Sequence, residues 1–245
     1  MIVDISYYNT VKDWIALRNA VDGVIIRLGY TGYGSGKIMY DKQYHDNIKA
    51  AELMDIKRGV YFFPQSVTEK EAEAEADFIA QAVGGKVLEL GVWLDSEIAD
   101  VKNKSGRADK LTRAIRTGLL HIIIERLKYY GIAAGVYASK SWLENQLDMS
   151  RLKNVPVWVA QYNKECTYRG SYIMWQYTSK GKVPGIVGNV DLSEIVYSVS
   201  DEDPELDNAV EVIARRVIKG DFGQGHEMRR NSIYELIRKK VNDII

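Results

Sequence analysis

The chain has 245 residues, 46% of them hydrophobic, enough for one large domain of about 200 residues and a small appendage. Its 33 basic and 33 acidic residues cancel, which excludes a general electrostatic affinity for nucleic acid or an anionic membrane surface. Cys166 is the only cysteine, so no intrachain disulfide or cysteine-built metal site can form; His45, His121 and His226 lack ligand spacing, and no metal or cofactor is expected.

No apolar run approaches the length of a membrane span, and Met1-Ile2-Val3-Asp4 opens the chain without a basic-then-apolar leader. The sequence therefore predicts no signal peptide and no stable membrane association. Ile2 to Ser6 reads as a strand, Val11 to Val21 as a helix packed through Trp14, Ile15, Leu17 and Val21, and Gly23 to Gly29 as a buried strand. Gly32-Tyr-Gly-Ser-Gly-Lys37 invites a phosphate-loop reading, but the first glycine would fall at Thr31 and Ile38 stands where Ser or Thr is required. It reads as a loop.

Tyr44, Ile48 and Ala51 recur at helical spacing between Asp41 and Asp55, and Lys57 to Phe63 returns to strand. Thr68 and Glu71 form a capping box for a helix reaching about Val83. The region from Val87 to Glu97 is again strand-like, and Leu111, Ile115, Leu119, Ile122, Ile123 and Leu127 mark a long helix ended by Gly131. Strict alternation of strand and helix predicts parallel strands with right-handed crossovers. From Ala133 to Ser139 onward the pattern changes. The strand-like segments Val155 to Tyr162, Tyr172 to Thr178 and Asn189 to Ile195 are separated by gaps too short for packed crossover helices. Eight strands with helices only in the first part are closed best by an irregular barrel, with active groups at the C-terminal strand ends.

Residues 199–206 contain the acidic, proline-bearing run Asp201-Glu-Asp-Pro204-Glu205 and read as a linker. Beyond it, Val210, Ile213, Ala214 and Val217, then Ile233, Leu236, Ile237 and Val241, form two helical stripes, so 207–245 is predicted to be a small helical module for targeting or self-association.

The chemistry centres on carboxylates. In Val92-Trp-Leu-Asp95-Ser-Glu97 an apolar strand ends in two acids one residue apart, which a strand would place on one face. Like charges so placed disfavour double ionisation and can hold one proton near neutral pH, as a general acid requires. Asp4 and Asp191, in the first and last strands, become neighbours once the barrel closes. Tyr61, Tyr137, Trp158, Tyr162, Trp175 and Tyr177 lie at the same level; aromatic faces beside acids suit sugar rings, and paired carboxylates cleave glycosidic bonds. Such pairs serve retention or inversion according to their separation.

Asp4-Ile-Ser-x-x-Asn9, Trp93-Leu-Asp-Ser-Glu97, Gly135-Val-Tyr-Ala-Ser139, Trp158-Val-Ala-Gln-Tyr162, Trp175-Gln-Tyr177 and Val190-Asp191 resemble, in order and spacing, the motifs of the glycoside hydrolase family 25 muramidases, the Chalaropsis-type lysozymes. The resemblance covers about residues 1 to 198 and implies a flattened TIM-like (β/α)5(β)3 barrel that hydrolyses the β-1,4 bond between N-acetylmuramic acid and N-acetylglucosamine of peptidoglycan. By motif match Glu97 would be the acid/base, Asp4, Asp95 and Asp191 the supporting carboxylates, and Tyr61, Tyr137, Gln161 and Trp175 the lining of the groove. Val212 to Gly225 resembles the helical cell-wall-binding repeat of some phage lysozymes, with Phe222 at its usual aromatic position. The whole implies a phage endolysin that stays in the host cytoplasm until release to the wall, or a bacterial autolysin; a glycan-binding barrel without turnover is the non-enzymatic alternative.

Overall fold

The structure, a computed structural model, describes residues 1–196; the linker expected at 199–206 and the helical module expected at 207–245 lie outside these residues. Eleven strands run in chain order: β1 (Ile2–Ile5), β2 (Thr10–Val11), β3 (Gly23–Thr31), β4 (Ile38–Tyr40), β5 (Arg58–Phe63), β6 (Val92–Asp95), β7 (Ala134–Ser139), β8 (Val157–Ala160), β9 (Met174–Gly181), β10 (Ile186–Val187) and β11 (Val190–Ile195). The helices are α1 (Trp14–Ala20), α2 (Tyr44–Leu53), α3 (Glu69–Val83), α4 (Arg113–Tyr129) and α5 (Lys140–Asn145).

The strands β1, β3, β5, β6, β7, β8 and β9 follow one another in parallel, and β11 closes the ring by pairing antiparallel with both β9 and β1. Eight strands thus form a closed barrel. Helices follow the first five of them, giving the expected (β/α)5(β)3 order. Strands β4, β2 and β10 are additions at the rim. Where the sequence carries a start signal the helix obeys it: Thr68 and Glu71 exchange both bonds of the capping box, and Asp13 accepts from the amides of Ile15 and Ala16 at the head of α1.

Two apolar layers result. Outside the barrel, Val3, Ile5, Val24, Ile26, Val60, Phe62 and Leu94 pack against the inner faces of the helices. Inside it, Ile2, Ile25, Trp93, Trp158 and Met174 stack, with the two indoles edge to face at 5.7 Å. Trp93 fits because Gly135 on the neighbouring strand carries no Cβ; one placed there would stand 2.5 Å from the indole Cζ3. Alternation along each strand decides which residue joins which layer. The inward set continues toward the C-terminal strand ends as Asp4, Tyr61, Asp95, Tyr137 and Gln176, and this places the site.

Some local expectations are revised. Ile15 and Ile115, counted in the helical stripes, are 65% and 49% exposed. The barrel's fourth strand, β6, is shorter than expected: Val87 to Gly91 lie outside it, and Gly91, just before it, adopts a left-handed φ of +75°.

Candidate active site

Strand β6 ends at Asp95, so Asp95 and Glu97 do not share a strand face as the sequence predicted. The chain turns at Ser96, whose N–H donates to the Tyr137 carbonyl at 2.8 Å and whose Oγ accepts from Trp142 Nε1 at 3.0 Å. Both acids nevertheless reach one pit of about 170 Å³ at the C-terminal ends of the strands. Asp4 and Asp191, directly opposite each other in the antiparallel β1/β11 pair, enter the same pit. Trp158 lies beneath, its indole N–H given to Ser193 Oγ at 3.1 Å, and Tyr61, Tyr137 and Tyr162 form the sides.

The acids differ in depth. Asp4 and Asp95 are 8% and 7% exposed. Burial pushes both well above the ordinary carboxylate range, with Asp191 adding to the effect on Asp4 and Glu97 to that on Asp95. Asp95 also has an oxygen, Oδ1, with no hydrogen-bond partner. Asp191, the less buried neighbour of Asp4 across the β1/β11 pair, is itself raised by burial, though less strongly than Asp4. Glu97 stands amid protein atoms, yet its side chain opens to solvent at the mouth. Its affinity for a proton is raised, by those surroundings and then by Asp191, and water at the mouth keeps the rise smaller than for the buried pair. Repulsion between Asp95 and Glu97 is mutual, so burial decides which takes a proton first: Asp95. A cation counters the cluster, since Arg27 on β3 lowers the proton affinity of Asp95 and Tyr61 while Asp41 grips its Nε at 2.7 Å.

Two residues expected in the groove lie elsewhere. Alternation on β9 sends Met174 and Gln176 inward and Trp175 outward, where Trp175 joins the outer core and packs edge to face on Tyr177 at 5.7 Å. Gln161 turns into the loop that follows it, exchanging bonds with Thr167 through its Nε2 at 2.9 Å and its Oε1 at 2.8 Å. In their place stand Gln176 and the exposed Tyr162. Gln176 sits within the Trp175-Gln-Tyr177 motif, and the signal that marks it as inward-facing is the alternation of β9.

A larger hollow, about 810 Å³, opens at the other end of the barrel beside the C-termini of α3 and α4. Its one carboxylate, Asp77, is already held by Arg126 and Tyr130. Of these two hollows, the smaller is the one in which acid pairs converge. Among the described residues no group of three or more His, Cys, Asp or Glu is arranged to hold a metal ion, and no helix is long and apolar enough to cross a membrane.

A (β/α)5(β)3 barrel with four carboxyl groups and an aromatic floor at its C-terminal mouth has the architecture of a glycoside hydrolase. The chain matches Glycosyl hydrolases family 25 over residues 3–186, and it belongs to that family. Among solved structures it is similar to the modular autolysin LytC from Streptococcus pneumoniae, solved also in complex with a synthetic peptidoglycan ligand: 32% identity, TM-score 0.67, 78% of this chain and 45% of that one. The CTP1L endolysin is similar at 26% identity and a TM-score of 0.62, over 80% of this chain and 66% of that one. An autolytic lysozyme of Clostridium acetobutylicum is 24% identical over 177 residues, 72% of this chain and 51% of the relative. The chain spans about half the length of the curated relatives it matches.

Proposed function

We propose that the protein is a peptidoglycan muramidase that hydrolyses the β-1,4 bond between N-acetylmuramic acid and N-acetylglucosamine. The observation that carries this reading is the convergence of Asp4, Asp95, Glu97 and Asp191 in one pit over Trp158, with Glu97, the most solvent-exposed of the four, also raised in proton affinity. Glu97 gives its proton to the bridging oxygen. As the bond to the anomeric carbon breaks, positive charge grows on the sugar ring and Asp191, the least buried of the three supporting acids, offsets it as a carboxylate. Water then adds to the anomeric carbon and gives its proton to the ionised acids of the site. Tyr61 and Tyr137 flank the ring and Trp158 supports its apolar face.

The physiological role proposed is that of an endolysin, with residues 207–245 serving wall targeting or self-association behind the acidic linker 199–206. An autolysin of the same activity is the second reading, favoured by the higher identity to LytC, 32% against 26% for the CTP1L endolysin. Purified cell walls digested with the protein and reduced with borohydride test the activity common to both. Reduced muramic acid at the new chain ends is the expected product. Reduced glucosamine would mean that the other bond of the strand is cut, and no new reducing ends would mean a binding barrel.

A further inference from the structure

Gln176, 2% exposed in the wall of the pit, takes no part in the proton transfer proposed above. Its amide joins three parts of the mouth. Oε1 accepts from the Tyr137 hydroxyl at 2.8 Å and from the Tyr162 hydroxyl at 2.9 Å, and Nε2 donates to Asp4 Oδ2 at 2.9 Å. A carbonyl oxygen has two lone pairs, and two phenols fill them. Their donation fixes which end of the amide faces Asp4. Turned over, Oε1 would meet the Asp4 carboxylate oxygen, two acceptors in contact in a buried site. The backbone is held as well: the Gln176 carbonyl accepts from the Gln161 N–H at 3.0 Å, and Gln176 is registered against Ala160 on β8 and Ser193 on β11.

We propose that Gln176 is a positioning residue whose amide, oriented by Tyr137 and Tyr162, sets the protonation and the direction of Asp4 in the glycoside-cleaving site. The inference rests on the muramidase reading for its catalytic consequence but not for its geometry. The charges that act most strongly on Asp4 are of its own sign, Asp191 from β11 and then Glu97 beyond the end of β6, with Asp95 beside them; the one cation at the cluster, Arg27 on the adjoining β3, is gripped by Asp41. Tyr61 on β5 and Tyr137 on β7 face it uncharged, and burial adds to the push toward the protonated form. The donor from Gln176 opposes all of these. Without it Asp4 keeps its proton to higher pH, and its oxygen loses the contact that aims it. Tyr162, 58% exposed, is the outer end of the chain of bonds, so the state of a buried carboxyl depends on a residue at the open rim.

The test compares Gln176→Leu, Tyr162→Phe and the double variant Tyr137→Phe/Tyr162→Phe with wild type. Protein carrying 13C-carboxyl aspartate is titrated by NMR without substrate, and Asp4→Asn identifies the Asp4 signal. The Asp4 midpoint should move to higher pH in Gln176→Leu, and less far in the same direction in Tyr162→Phe, with the double variant between them. With wall fragments, kcat should fall on the order of 10- to 100-fold in Gln176→Leu while KM changes little, and the acidic limb of the rate profile should follow the NMR midpoint. Tyr162→Phe removes a single hydroxyl from a residue at the open rim, so it carries the test should Gln176→Leu fail to fold. Unchanged Asp4 midpoints in the folded variants overturn the proposal. Because the titration uses no substrate, that result is distinct from a failure of the muramidase reading, which shows as wild-type protein releasing no reducing ends.

Discussion

Replacing Asp95 by asparagine measures the electrostatic cost built into the pit. Asp95 is 7% exposed, its Oδ1 has no partner, and burial followed by Glu97 and Asp4 outweighs the opposing Arg27 charge. A carboxyl whose folded-state pKa is raised contributes stability that is fully present below its unfolded value, near 3.8, and is lost as pH rises through the folded value. At neutral pH the wild type must therefore hold a proton the unfolded chain has released, or bury a charge beside Glu97. The amide does neither. A buried polar group without a partner costs about 1–3 kcal/mol, and a charged one costs more. For a domain of about 200 residues each kcal/mol moves the melting temperature by about 2–4 °C. Asp95→Asn should thus melt about 2–12 °C above wild type at pH 7, with the gap closing as pH falls toward 4. Calorimetry across pH 4 to 8 reads this directly. A gap independent of pH, or a lower melting temperature at pH 7, would refute the claim that the site is strained by its own acids.

Glu97→Gln should lower the release of reducing ends from walls at least about 100-fold, because an amide has no proton to give. Its melting temperature should stay near that of wild type, since the side chain opens to solvent; a loss under tenfold removes Glu97 from the role of acid. Gly135→Ala places a Cβ 2.5 Å from Trp93 Cζ3 and 2.8 Å from the Pro156 carbonyl, and should cost about 1–3 kcal/mol in urea unfolding. A chain ending at Ser198 should cleave soluble muropeptide oligomers at close to the full-length rate yet sediment less with intact walls or lose a dimer on sizing. Equal wall binding and an equal oligomeric state would remove both proposed roles of residues 207–245.

Much of the architecture is legible because separate signals coincide. The capping box at Thr68 and Glu71, the helical recurrence of Tyr44, Ile48 and Ala51, and the short gaps after Tyr162 are local features, and each survives in the folded chain. What cannot be read locally is which way a fully buried strand faces. Strands β1, β6 and β8 are buried at every position, so no polar residue marks the outer side, as alternation would in a half-exposed sheet. Trp175 and Gln176 show the consequence. Both are buried, and a large aromatic is the natural choice for a sugar groove, yet closure of the barrel turns the indole to the helices or loops outside and the amide to Asp4.

The same limit bears on the acids. Sequence spacing suggests that Asp95 and Glu97 share a strand face, but the shared pit arises otherwise, from a strand that stops at Asp95 and a turn at Ser96 held by Tyr137 and Trp142. The difference is chemical. Two acids on one strand face would be alike in exposure, and repulsion alone would separate their proton affinities. With one at the end of a buried strand and the other on a loop at the mouth, burial separates them further: Asp95 is held well above the ordinary carboxylate range and Glu97 is raised less. The site gains a reachable acid because the chain leaves the strand one residue before it.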